Sequence, residues 1–169
     1  HCSEGSLNRS KGFPTSECFH FGRLEPFIKT FGEGGGLVLK EAGRHLGEII
    51  NAFSNELHES FKAKAVETHL FFSPSGAKGV GATVESSEVF ILQLEGCKKW
   101  KVEHSEKDYE LKVGNILYIP RGLSHEACVS SVPSMHLSLG IRTFKYIDLL
   151  NLKSFLLSRE ESIFNSPLP

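Results

Sequence analysis

Residues Gly79 to Val102 read GVGATVESSEVFILQLEGCKKWKV, and this stretch decides the fold. The run from Val89 to Leu94 is short, mostly apolar and rich in β-branched and aromatic residues, which indicates a buried strand rather than a helix. Glu95-Gly96 permits a tight reversal, and the alternation from Lys98 to Val102 is typical of a strand with one solvated face. The stretch therefore predicts a β-hairpin.

Similar short apolar segments, separated by Gly and Pro turns, lie on both sides of this stretch. Such spacing is typical of an all-β barrel or jelly roll, here of about eight strands. Beyond the hairpin, strands are predicted at Leu37–Leu39, Ala65–Ser73, Tyr109–Val113, Ile116–Ile119, Glu126–Val129 and Met135–Leu139.

Helices are predicted at both ends of the barrel. Apolar residues at three- and four-residue intervals predict one helix of about five turns from Ala42 to Phe61. A shorter helix is expected near Leu24 to Thr30. The segment from Phe144 to Leu157 is a strongly apolar helix, for which both docking on the barrel and contact with a partner helix or subunit remain open.

Composition limits the class of protein. The 169 residues are 40% hydrophobic and 23% charged, which is ordinary for one globular domain. A net charge of -1 gives no indication of a nucleic-acid partner, and no segment has the length of a membrane span or the core of a secretion signal. The four cysteines, Cys2, Cys18, Cys97 and Cys128, are scattered and are expected to be reduced thiols inside a cell.

Two motifs carry a resemblance to a known family. Gln93-Leu94-Glu95-Gly96 is followed by lysines and Trp100, and residues 114–125 read GNILYIPRGLSH. Together they resemble the JmjC/cupin oxygenases, most closely the ribosomal-oxygenase branch, whose members use Fe(II) and 2-oxoglutarate to hydroxylate ribosomal proteins. The resemblance covers roughly Lys64 to Thr143.

The resemblance implies a mainly β, double-stranded β-helix with flanking helices and a C-terminal helix. Residues 1–63 would form a lead-in with flanking helices and a short strand. Residues 64–143 would form the barrel, and residues 144–169 the C-terminal helix and the possible start of a homodimerisation region. The chain resembles a fragment of a longer protein, since the family usually continues into further helices.

The resemblance also assigns site residues, with one departure from the family pattern. The metal positions fall on Thr83, Glu85 and His125, so the first histidine of the triad is missing. Lys98 stands where relatives pair a lysine with the distal carboxylate of 2-oxoglutarate. A solvent-facing Lys98 beside Lys99 is the other interpretation. No catalytic residue is assigned.

Three functions remain open at this point. The chain could be a weakly active or inactive relative that serves as a binding module, since Thr83 is a poor ligand for Fe(II). It could be an active dioxygenase that hydroxylates a protein side chain through a non-standard metal site, with His69 or His104 as a substitute ligand. A different small-molecule cupin is the third. His136 is expected to be a packing residue.

The resemblance implies a ribosomal protein as substrate or partner, with no membrane and no nucleic acid involved. It implies an intracellular location, which would be cytoplasmic in a bacterium and nuclear or nucleolar in a eukaryote.

Overall fold

The computed structural model describes residues 28–29, 31–77, 81–128 and 131–160. Nine strands and three helices follow one another along this part of the chain. They are β1 (Leu37–Lys40), α1 (Ala42–His45), α2 (Glu48–Phe61), β2 (Ala65–Ser73), β3 (Thr83–Val84), β4 (Glu88–Glu95), β5 (Cys97–Val102), β6 (Tyr109–Lys112), β7 (Ile116–Ile119), β8 (Ser124–Ala127), β9 (Ser134–Arg142) and α3 (Tyr146–Glu160).

The strands form two antiparallel sheets. The first has the order β1-β2-β9-β4-β7 and the second the order β3-β8-β5-β6. Apart from the consecutive pairs β1-β2 and β5-β6, neighbouring strands in each sheet are not consecutive in sequence, because the chain crosses repeatedly between the two sheets. The mainly β jelly roll with flanking helices and a C-terminal helix is confirmed.

The predicted β-hairpin is wrong. β4 pairs with β7 and β9, whereas β5 pairs with β6 and β8 in the other sheet. Gly96 therefore marks a crossing between sheets rather than a reversal within one. It has φ of 66°, and a Cβ there would lie 2.1 Å from the carbonyl oxygen of Pro133, so glycine is required on both counts.

The single long helix expected from Ala42 to Phe61 is also wrong, because it is broken into α1 and α2. The break lies at Gly47, whose φ of 88° and ψ of -170° cannot continue a helix. Three apolar side chains of α2, Ile50, Phe53 and Leu57, pack on the outer face of the five-stranded sheet.

Two apolar clusters hold the layers together. Val89, Ile91 and Trp100 belong to the cluster between the sheets, which Leu111, Ile119 and Ala127 complete. The second cluster lies between the five-stranded sheet and the helices, and it contains Leu39, Ala42, Leu70, Leu137 and Leu139. Burial of each Leu or Ile contributes about 1.5–3 kcal/mol, so both clusters stabilise the packing of the layers.

Several element boundaries differ from the predicted ones. The strand expected at Glu126–Val129 occupies Ser124–Ala127, and the C-terminal helix begins at Tyr146 and runs to Glu160. The helix predicted near Leu24 to Thr30 lies mostly outside the described residues. Cys2 and Cys18 lie entirely outside them. No helix in the described ranges is long and apolar enough to cross a membrane.

Candidate functional site

A cavity of about 270 Å³ lies between the two sheets. Alternate residues of each strand point inward, so one face of β2, β4, β5, β8 and β9 supplies its walls. All four residues predicted for the site, Thr83, Glu85, Lys98 and His125, line this cavity.

Thr83 and His125 face each other across the β3–β8 ladder, where they are paired in register. Thr83 Oγ1 lies 3.3 Å from His125 Nε2. His125 Nδ1 lies 3.3 Å from the carbonyl oxygen of Leu123. A ring proton on Nδ1 would be donated to this carbonyl and leave Nε2 to accept from the Thr83 hydroxyl, which also lies 3.4 Å from the carbonyl oxygen of His125. The nitrogen that could bind a metal is thus hydrogen-bonded to Thr83.

Glu85 follows β3 and is exposed at the open end of the cavity. Its backbone carbonyl accepts a hydrogen bond of 2.8 Å from the amide of Gly122. This bond ties Glu85 to the turn that precedes β8. The sequence motif and the structure therefore place Glu85 beside the same strand pair as Thr83 and His125.

Lys98 lies inside the barrel and is only 7% exposed, so the solvent-facing interpretation is wrong. Its ammonium donates to Ser73 Oγ at 2.8 Å and lies 6.0 Å from the centre of the Trp100 ring. Burial lowers the pKa of Lys98 to about 8, because desolvation penalises the charged form. Within the described residues, the one hydrogen-bond partner of this buried ammonium is a neutral hydroxyl, so Lys98 is well placed to receive an anion.

His136 is buried between aromatic rings at the closed end. Its ring stacks on Phe71 at a centroid distance of 4.7 Å and meets Trp100 edge-on at 5.1 Å. Burial, and secondarily the charge of Lys98, holds the pKa of His136 well below its usual value. His136 is therefore a neutral imidazole that packs the cavity floor.

Several polar atoms around Lys98 have no hydrogen-bond partner in the described part of the chain. Trp100 Nε1 and His136 Nδ1 belong to residues that line the cavity, whereas Gln93 Oε1 and Ser134 Oγ belong to β4 and β9 residues outside its lining. Unpaired buried groups of this kind are costly and usually mark a bound molecule or ordered water. The sequence analysis gave no site role to Gln93, although it stands in the Gln93-Leu94-Glu95-Gly96 motif, or to Ser134, whose register on β9 was the only signal.

The two substitute ligands considered for the metal differ in position. His69 lines the cavity, is half-buried, and has a lowered pKa because burial penalises its charged form. His104 lies in an exposed turn with φ of 63° and is not among the residues lining the cavity. Only His69 is near the candidate site.

The donor set does not fit a metal centre of two imidazoles and one carboxylate. Thr83, Glu85 and His125 supply one hydroxyl, one carboxylate and one imidazole. Within the described residues, no three His, Cys, Asp or Glu side chains lie close enough together to hold a metal ion. Both observations oppose a strong iron site.

Comparison with known proteins assigns the family. The JmjC domain family matches residues 48–109 and 103–149, more than half of the chain. The chain belongs to the JmjC domain family. Mouse ribosomal oxygenase 2 is 28% identical over 137 residues, which cover 66% of this chain and 30% of that protein. The Dictyostelium discoideum bifunctional lysine-specific demethylase and histidyl-hydroxylase NO66 is 30% identical over 98 residues, or 44% of this chain and 19% of that protein.

A solved structure shares the fold of this JmjC domain. YcfD, a ribosomal oxygenase from Escherichia coli in complex with cobalt and succinic acid, is 26% identical, with a TM-score of 0.69. The match covers 94% of this chain and 46% of YcfD. The JmjC domain described here thus spans less than half of the length of these relatives.

Proposed function

We propose that this chain is a JmjC domain of the ribosomal-oxygenase type that binds Fe(II) poorly and turns over little or no 2-oxoglutarate. The observation that carries the proposal is the pairing of Thr83 Oγ1 with His125 Nε2 at 3.3 Å. Imidazole and carboxylate are the ligands of non-haem Fe(II), and a neutral hydroxyl is a much poorer one. The role left to the domain is to bind a protein partner.

Lys98 supports the proposal that the cavity retains affinity for a carboxylate. When bound in such domains, 2-oxoglutarate supplies the electrons for oxygen activation, and a lysine at this position holds its distal carboxylate. In this chain Lys98 fits that role, since its ammonium is buried beside the hydroxyl of Ser73. The metal-facing half of 2-oxoglutarate has no matching donor set at Thr83, so its binding is weak.

We propose a ribosomal protein as the partner, on the strength of the relatives named ribosomal oxygenase. We also propose that residues 64–143 act as the barrel unit, that α3 contributes to a homodimer, and that the protein works inside the cell. The net charge of -1 gives no support for nucleic acid as the partner.

An active dioxygenase with a non-standard metal site is the alternative, and one observation favours it. His69 lines the same cavity and its lowered pKa leaves it neutral near pH 7, the form that can bind a metal. Under this alternative, His69→Ala would weaken Fe(II) binding. Under the proposal, His69→Ala would leave Fe(II) binding unchanged.

Metal affinity tests the proposal. The chelator-stripped protein is titrated with Fe(II) under anaerobic conditions, beside Thr83→His and Thr83→His/Glu85→Asp. We expect weak binding by the parent and at least about tenfold tighter binding by the variants, because each restores an imidazole. Stoichiometric, tight binding by the parent that His69→Ala abolishes would establish the alternative instead.

A further inference from the structure

We propose that the cavity selects a small zwitterionic carboxylate, in which a short aliphatic chain joins a carboxylate, held by Lys98, to an ammonium, held by Glu85. This inference rests on the proposed function, because it requires that no metal ion sits beside Thr83. The zwitterionic carboxylate, rather than a dicarboxylate, is then the preferred ligand of the cavity.

The closed end of the cavity is suited to one carboxylate. Lys98 is the only lysine or arginine that lines the cavity in the described part of the chain. Trp100 Nε1 is a donor without a partner among the described residues, and the hydroxyl of Ser73, which also lines the cavity, accepts from Lys98. An ammonium, an indole N–H and hydroxyl groups are all donors that a carboxylate accepts from.

The middle of the cavity is suited to an aliphatic chain. Phe71, Val89, Ile91 and Ala127 line it between the two ends. Its volume of about 270 Å³ is near the lower limit of small-molecule sites, which are roughly 300–1,000 Å³. A ligand of a few carbons is therefore the appropriate size.

The open end carries a negative charge. Glu85 is exposed there and forms no ion pair within the described residues. Glu67, the other carboxylate of the lining, is paired with Arg142 at 2.9 Å. Lys40, which pairs with His69 across the β1–β2 ladder, lines a neighbouring pocket rather than this cavity. A second carboxylate at this end would meet the like charge of Glu85, whereas an ammonium would meet an opposite charge.

The test uses three ligands of equal length that differ in the charge of one end. Glutarate, pentanoate and 5-aminopentanoate are titrated by calorimetry into the protein in the presence of a chelator. We expect 5-aminopentanoate to bind about tenfold more tightly than glutarate, with pentanoate between them. Glu85→Gln should remove the preference and leave pentanoate binding unchanged, and Lys98→Met should abolish binding of all three.

Two results would overturn the inference. The first is glutarate binding as tightly as 5-aminopentanoate to the metal-free parent, and the second is no measurable binding of 5-aminopentanoate. Neither result bears on turnover, because a chelator is present throughout. Iron-dependent formation of succinate would instead refute the proposed function. The titrations with chelator would still give the order in which the three ligands bind.

Discussion

At the scale of single residues, Thr83 determines what His125 can do. The hydrogen bond from Thr83 to Nε2, together with the contact between Nδ1 and the Leu123 carbonyl, uses both ring nitrogens of His125. A metal ion would have to displace the hydroxyl to reach Nε2. Under the proposed function, Thr83 therefore lacks an imidazole of its own and contacts that of His125.

Lys98 is the second residue with a distinct physical effect, because its charge is buried without an ionic partner among the described residues. Its folded-state pKa of about 8 lies below the ordinary 10.5. Between these values the unfolded chain binds more protons than the folded one, so the free energy of unfolding rises with pH. Below pH 8 Lys98 is charged in the folded protein, so the full free-energy cost of burying that charge lowers the free energy of unfolding.

We therefore predict that Lys98→Met stabilises the ligand-free protein at neutral pH, by at most about 3 kcal/mol, and removes the rise in stability between pH 8 and 10.5. Urea denaturation across this pH range measures both effects. Lys99→Met, an exposed neighbour on the same strand, is the matched control and should change neither. Equal behaviour of the two variants would show that Lys98 is solvated in the protein.

At the scale of elements, the crossing from β4 to β5 depends on Gly96. The chain passes there from one sheet to the other, directly against the backbone of Pro133. Both the positive φ and the close approach exclude a side chain.

Gly96→Ala should reduce the free energy of unfolding by at least about 3 kcal/mol, because the added Cβ forces the two backbones apart. Gly114→Ala separates the cost of the positive φ from the cost of the clash. Gly114 has φ of 84°, but nothing lies within 4 Å of its Cβ position. Its cost should be about 1–2 kcal/mol, that of the backbone conformation alone. Chemical denaturation gives both values, and equal losses would rule out the predicted clash.

The strands show how far the sequence could predict the elements. β2 and β7 match their predicted bounds, because runs such as Ile116–Ile119 are β-branched or aromatic and end at Gly or Pro. The pairing of β4 was not predictable in this way. Its partners β7 and β9 lie far along the chain, and local turn chemistry at Gly96 suggested a hairpin instead.

The candidate site was predictable only in part, for a similar reason. The motif identified four site residues, because each motif position corresponds to a set position along a strand. They are Thr83, Glu85, Lys98 and His125. Ser73 carries no motif. It enters the site because the register of β2 turns it toward Lys98, and that register depends on tertiary pairing.

At the scale of the whole molecule, the C-terminal helix α3 leaves much apolar surface uncovered. Ile147, Leu149 and Leu152 are 56%, 55% and 54% exposed, and Leu150, Phe155 and Leu156 are also exposed. Near its start, Lys64 and Asp148 form an ion pair of 2.6 Å, which anchors α3 to the barrel. Apolar exposure on this scale is typical of an interaction surface.

We predict that the chain self-associates through α3 and that Leu149→Glu/Leu152→Glu gives a monomer, because two charges would have to be desolvated in the interface. Sedimentation equilibrium over a range of concentrations measures the mass. Lys153→Glu, on the same helix, is the control for charge alone. A parent that stays monomeric at the highest concentration would contradict self-association through α3.

The central claim, that this JmjC domain has lost efficient turnover with the imidazole at position 83, is tested most directly by succinate formation from 2-oxoglutarate under saturating Fe(II). The parent is measured beside Thr83→His and Thr83→His/Glu85→Asp. The account predicts succinate at the level of the enzyme-free control for the parent and a clear increase for the variants. A parent that forms succinate at a rate which neither substitution improves would contradict it.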